Sequence, residues 1–143
     1  MISIIIAIIS GISMSIQGVF NTRLGEKIGT WETNVIVQAT GLILTLLVSF
    51  IWGNGNYHEL KNVNKLYLLG GILGVIITYT VMVSIGNLGP TYAIGIILIA
   101  QLVSAALIDA FGLFGSEKIN FTLKEFIGVA IMLLGIIVFK WKK

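Results

Sequence analysis

Five apolar runs of membrane-crossing length dominate this chain, at about residues 2–20, 33–52, 66–85, 91–111 and 123–139. An α-helix crosses the ~30 Å hydrocarbon core of a bilayer in about 20 residues, and each run is close to that length. None alternates polar and apolar residues with the period of a strand, which argues against a lipid-facing barrel. Only short polar links separate the runs, so the 143 residues leave no room for a separate soluble domain. Composition agrees: 57% of residues are hydrophobic and 10% charged, with a mean hydropathy of +1.02. A soluble domain carries about 25% charged residues because its surface faces water. The sequence therefore predicts an all-α membrane protein, a single domain over residues 1–143 with five transmembrane helices.

Trp31, Trp52, Tyr67, Tyr92 and Trp141 stand at the ends of the runs, where amphipathic rings favour the headgroup layer. No Lys or Arg precedes Arg23. The first run thus lacks the basic segment of a secretory signal and reads as a retained helix. An odd number of spans puts the two termini on opposite sides. Lys61, Lys65, Lys118 and Lys124 then fall on the amino-terminal side, and Arg23, Lys27, Lys140, Lys142 and Lys143 on the other. Such an even split gives the positive-inside rule nothing to act on, so the chain is able to insert both ways up. These cations flank hydrophobic segments instead of forming one patch, and nucleic acid is not an expected partner.

Polarity inside the runs is confined to narrow faces. In the second run Asn34, Gln38, Gly41, Thr45 and Ser49 recur at three- and four-residue spacing, and Ser10, Ser13, Gln17 and Asn21 do so in the first. At about 100° per residue each set forms one stripe. Gln101, Ser104, Ala105 and Asp109 make a broader sector in the fourth. Such faces turn away from lipid, either to bond neighbouring helices or to line a wet cavity. Serines and threonines fit the first role. Gln17, Gln38 and Gln101 carry amides with two donors and an acceptor to satisfy, and their convergence on a cavity is the favoured reading. Gly70 with Gly74 in the third run, and Gly128 with Gly135 in the fifth, predict close helix packing.

Two carboxylates are candidates for membrane depth. Glu32 opens the second run, where an acid complements the helix dipole, and Asp109 closes the fourth, where it serves to cap or anchor a turn. If either is functional, it attracts a cation or carries a proton. The chain has no cysteine and one histidine, His58, in a polar link. No metal cluster, nucleophile–base pair or phosphate-binding loop is present, so neither a metal, a cofactor nor an enzymatic activity is expected.

Gln17, Asn21 and Leu24-Gly25, then Gly70-Gly71 with Gly74, then Gln101 through Asp109-x-Phe-Gly-x-Phe-Gly resemble the YdcZ-like bacterial inner-membrane proteins. That family is a branch of the drug/metabolite transporter superfamily, and the resemblance extends over nearly the whole chain. Ser116-Glu117-Lys118 followed by Gly128-x6-Gly135 is similar to the last loop and helix of many of its transporters. The resemblance implies a five-helix half unit, an inverted-repeat arrangement, and kinship with the small multidrug resistance exporters, which work as antiparallel dimers. The central first-helix glutamate of those exporters has no counterpart here, where the first run offers Gln17 and Asn21.

These readings together predict a small-molecule transporter of the inner membrane, working by alternating access as an antiparallel homodimer of ten helices or as a pair with a close homologue. Gln17, Asn21, Gln38 and Gln101 are its expected substrate ligands, and a small polar or cationic metabolite its expected substrate. Two other classes fit the same sequence: a dual-topology ion channel, and a non-transporting partner subunit of a second membrane protein.

Overall fold

The computed structural model is helical throughout and describes residues 1–119 and 122–140; Trp141, Lys142 and Lys143, counted above as an anchor and as charges, lie outside the described residues. Five long helices follow one another: α1 (Ile2–Ile28), α2 (Thr30–Trp52), α3 (Gly70–Leu88), α4 (Pro90–Phe111) and α5 (Leu123–Lys140). No strand occurs among the described residues. Four helical segments are long and apolar enough to cross a membrane: Ile2–Ile28, Thr30–Trp52, Lys65–Leu88 and Pro90–Phe111. The fifth helix is 18 residues long and carries Lys124, Glu125 and Lys140 at its ends.

The first apolar run ends at Phe20, yet α1 continues for two more turns. Polarity ends a hydrophobic run without ending a helix. Thr22 donates its hydroxyl to the Gly18 carbonyl at 2.7 Å, and Arg23 Nη1 reaches both carboxylate oxygens of Glu26 at 3.1 and 3.0 Å. Both contacts are local to the helix: the first satisfies the buried hydroxyl, and the second is a side-chain pair at i,i+3 spacing. The stop comes at Gly29, whose φ of 101° and ψ of 149° belong to glycine alone. Its N–H closes α1 on the Gly25 carbonyl at 2.9 Å, and its own carbonyl accepts the Thr33 N–H at 3.0 Å to open α2. One residue therefore makes the entire connection.

The α2–α3 link contains two short 3-10 turns, Tyr57–Lys61 and Lys65–Leu69. Each is set by an asparagine: the Asn56 and Asn64 side chains accept the His58 and Leu66 N–H groups, both at 3.0 Å. Asparagine does this readily because its short side chain mimics a backbone turn. The expected start of the third span at Leu66 falls in the second 3-10 turn, which runs directly into α3 at Gly70 to complete the spanning segment Lys65–Leu88. Between α3 and α4, Gly89 takes φ 80° and Pro90 occupies the first helical position, where its missing N–H has no partner to lose.

After α4 the chain reverses through left-handed residues, Gly112 (φ 61°), Phe114 (φ 56°) and Gly115 (φ 83°). The Asp109 carbonyl accepts both the Gly112 N–H at 3.3 Å and the Ile119 N–H at 2.9 Å. The Phe-Gly-x-Phe-Gly pattern is therefore a turn sequence, with glycine at two of its three left-handed positions. At the start of α5 the Glu125 carboxylate accepts the Thr122 N–H at 2.8 Å and the Thr122 hydroxyl, which supplies one half of a capping box. The chain divides into two compact units, Met1–Asn87 and Leu88–Lys143.

Candidate functional site

In the first unit the buried side chains are mostly polar. Asn21, Thr22, Thr33 and Asn34 are all less than a tenth exposed, beside the apolar Met82 and Ile85. On α1, Gly18, Asn21, Thr22 and Gly25 share one face at three- and four-residue spacing. That face meets α3. A Cβ on Gly18 would come within 2.8 Å of Ile85 Cδ1 and 3.2 Å of Val81 Cγ1, and one on Gly25 within 3.7 Å of Met82 Sδ. The bare glycines are what let α3 approach.

The first two residues of the α2 polar stripe, Asn34 and Gln38, face the same helix, while Gly41 and Thr45 are exposed. Asn34 donates across to the Val75 carbonyl of α3 at 2.9 Å. One turn deeper, the Gln38 amide is shared between Asn34 Oδ1 and Thr78 Oγ1, each at 3.4 Å. These two contacts lie at the weak end of hydrogen-bond geometry. Gly74 leaves room around the amide, since a Cβ there would stop 3.7 Å from Gln38 Nε2. Trp31 stacks on Tyr79 with ring centroids 4.5 Å apart, closing the seam at the Gly29 end.

The candidate residues divide accordingly. Asn21 and Gln38 lie in this seam. Asn21 is 8% exposed, and its amide makes no hydrogen bond to a described residue. Gln17 sits one turn before it on α1, exposed. Gln101 lies in the second unit, exposed at the middle of α4. Asp109 is half-buried at the end of α4, and Glu32 is exposed. The Glu32 carboxylate folds over Gly29, where a Cβ would collide with it. Of the predicted packing glycines, Gly74 lies near Gln38, while Gly70, Gly128 and Gly135 have nothing within 4 Å of a built Cβ.

The close approaches occur instead at Gly18 and, in the second unit, at Gly95, where a Cβ would come within 3.0 Å of Ile136 Cδ1. Sequence reasoning also missed Thr33 and Thr78 as members of the seam. Nothing in an isolated threonine distinguishes a buried helix–helix contact from an exposed one. Asn34 carried a signal, because it precedes Gln38 by one turn on the same stripe.

In the second unit the space between α4 and α5 is apolar. A groove of about 250 Å³ is lined by residues such as Val103, Leu107, Phe126, Val129 and Leu133, without a polar side chain. It offers nothing to orient a polar solute. At the other end of the pair, Lys140 lies over the Tyr92 ring, 4.4 Å from its centroid.

Residues 2–138 match the family described as "Putative inner membrane exporter, YdcZ". The chain belongs to the YdcZ family. No curated protein and no solved structure is significantly similar to it. Membership makes the chain a bacterial inner-membrane protein of an exporter family, in keeping with its four apolar helices of spanning length and with the transporter reading of its sequence. Its relatives are exporters by description, not enzymes. In this YdcZ chain the Asp109–Gly115 pattern that carried the resemblance is the left-handed turn after α4, and the Gln17–Asn21 pattern lies on α1, on or beside the face that meets α3.

Proposed function

We propose that the chain is a small-molecule transporter that works by alternating access as an antiparallel pair of identical five-helix subunits, with α5 as the fifth span. The observation that carries this reading is the match of residues 2–138 to an exporter family. The even distribution of flanking Lys and Arg supports the inverted pairing, because it removes the bias that would fix one orientation. An in-plane two-fold axis then relates the copies, and exchange of their conformations turns an outward-open state into an inward-open one. Gln17, Asn21, Gln38 and Gln101 supply hydrogen bonds to the solute. Asn21 is the strongest member, since its amide reaches the surface, makes no hydrogen bond to a described residue and is free to meet a solute. Asp109 and Glu32 are the candidate cation or proton sites.

Orientation is the first test. Reporters active on opposite sides of the membrane, fused in turn to the carboxyl terminus, are expected both to give signal. Signal from one reporter alone rejects the identical antiparallel pair. Transport itself is tested in proteoliposomes, where Gln101→Leu is expected to abolish saturable uptake while the protein stays monodisperse. Unchanged uptake removes Gln101 from the site.

A further inference from the structure

We infer that the seam that α1 and α2 make with α3 takes an uncharged hydrogen-bonding solute, such as a polyol or an amide, and not an ion. This rests on the transporter reading above and narrows its substrate class. Two amides are available to a ligand: Asn21 on α1, a residue 8% exposed whose amide still reaches the surface and makes no hydrogen bond to a described residue, and Gln38 on α2, held by two contacts of 3.4 Å. An amide offers both donor and acceptor, which suits hydroxyl, carbonyl or amide groups on a solute.

No counter-charge serves the seam. Residues 2–22, 33–52 and 70–88 contain no charged side chain. The nearest charges are engaged or turned outward. Arg23 and Glu26 pair with each other at 3.0 Å with side chains 73% and 49% exposed. Lys27 is exposed, and the Glu32 carboxylate lies over Gly29. An ion entering this place gives up its hydration without meeting an opposite charge. A bare cation stripped of water needs a shell of several oxygens. Here the Val75 carbonyl already accepts from the Asn34 amide. A neutral solute loses less on leaving water, and even one amide offers it both a donor and an acceptor.

The chain has no cysteine, so one introduced thiol is a unique reporter. Asn21→Cys and Gln38→Cys, purified in detergent so that both faces are open, are treated with three methanethiosulfonates of similar size. One carries a neutral hydroxyethyl group, one a trimethylammonium and one a sulfonate. Each rate is divided by that of the same reagent at Asn54→Cys, in the exposed link after α2. The neutral reagent is expected to react at one or both seam positions, with both charged reagents at least about tenfold slower. A cationic or anionic reagent that keeps pace with the neutral one overturns the inference and leaves the seam as the transport site. If no reagent reacts at either position until the protein is unfolded in dodecyl sulfate, the seam is packing alone. Both the inference and the assignment of Asn21 and Gln38 then fall.

Discussion

The two units of this chain are held together by different physics. In the first, the interior is built from Asn21, Thr22, Thr33 and Asn34, with direct bonds between helices. In the second, the buried residues among those described are Ala93 and Ile99, and neither lies on α5. Lipid tails are as apolar as leucine, so apolar burial gives helices in a bilayer little reason to associate. Polar bonds and close backbone approach do. The polar unit therefore has a defined arrangement of three helices, while the apolar unit is one helix pair leaning on Gly95 and Ile136. A defined polar interior is also what a solute-binding site requires, and the first unit holds three of the four proposed ligands, Gln17, Asn21 and Gln38.

The contrast breaks first at Gly29. A valine there must adopt φ 101°, a region closed to β-branched residues, and its Cβ meets the Glu32 carboxylate. The expected destabilisation is about 3 kcal/mol or more. In the second unit, Gly112 holds φ 61° and ψ 39°, the left-handed region that other residues enter at about 1–2 kcal/mol. Thermal unfolding in detergent should rank Gly29→Val well below Gly112→Ala. Equal melting temperatures would mean that the one-residue corner does not anchor the first unit.

A smaller effect sharpens the same point. Asn34→Leu removes the bond to Val75 and one of the two contacts of Gln38, and is expected to destabilise by about 1 kcal/mol. Val103→Leu, on the wall of the open apolar groove, should change stability by less than about 0.5 kcal/mol. A stabilising Asn34→Leu would show that the seam is strained in favour of function.

How much of this was legible in the sequence follows from what each signal measures. Apolar runs report the need for lipid, and all five reappear as helices. They do not report where a helix stops. Asn21-Thr22-Arg23 ends the first run but not α1, because backbone hydrogen bonding tolerates polar side chains and only Gly29 interrupts it. Leu66 opens an apolar run, yet the Asn64 side chain commits the next residues to a 3-10 turn. Within the site, the four-residue spacing of Asn34 and Gln38 made their stripe visible. Thr78 was invisible, since its role depends on which helix lies opposite. The Thr122–Glu125 contact at the start of α5 went unread, because hydropathy does not register a capping pattern.

The smallest effect separates anchoring from pairing in the second unit. Lys140 lies over the ring of Tyr92, so the end of α5 is tied to the start of α4 by a cation–π contact. Such a contact is worth about 0.5–1 kcal/mol where exposed. A lysine at a helix end also serves by reaching the headgroups, a role that needs its charge and no ring. Lys140→Gln and Tyr92→Leu, measured singly and together by unfolding in detergent, tell the two apart. If the ring contact matters, the double variant loses about 0.5 kcal/mol less than the two single losses combined. If the losses simply add, Lys140 acts on solvent or detergent headgroups, and the second unit is held by Gly95, Ile136 and their apolar neighbours alone.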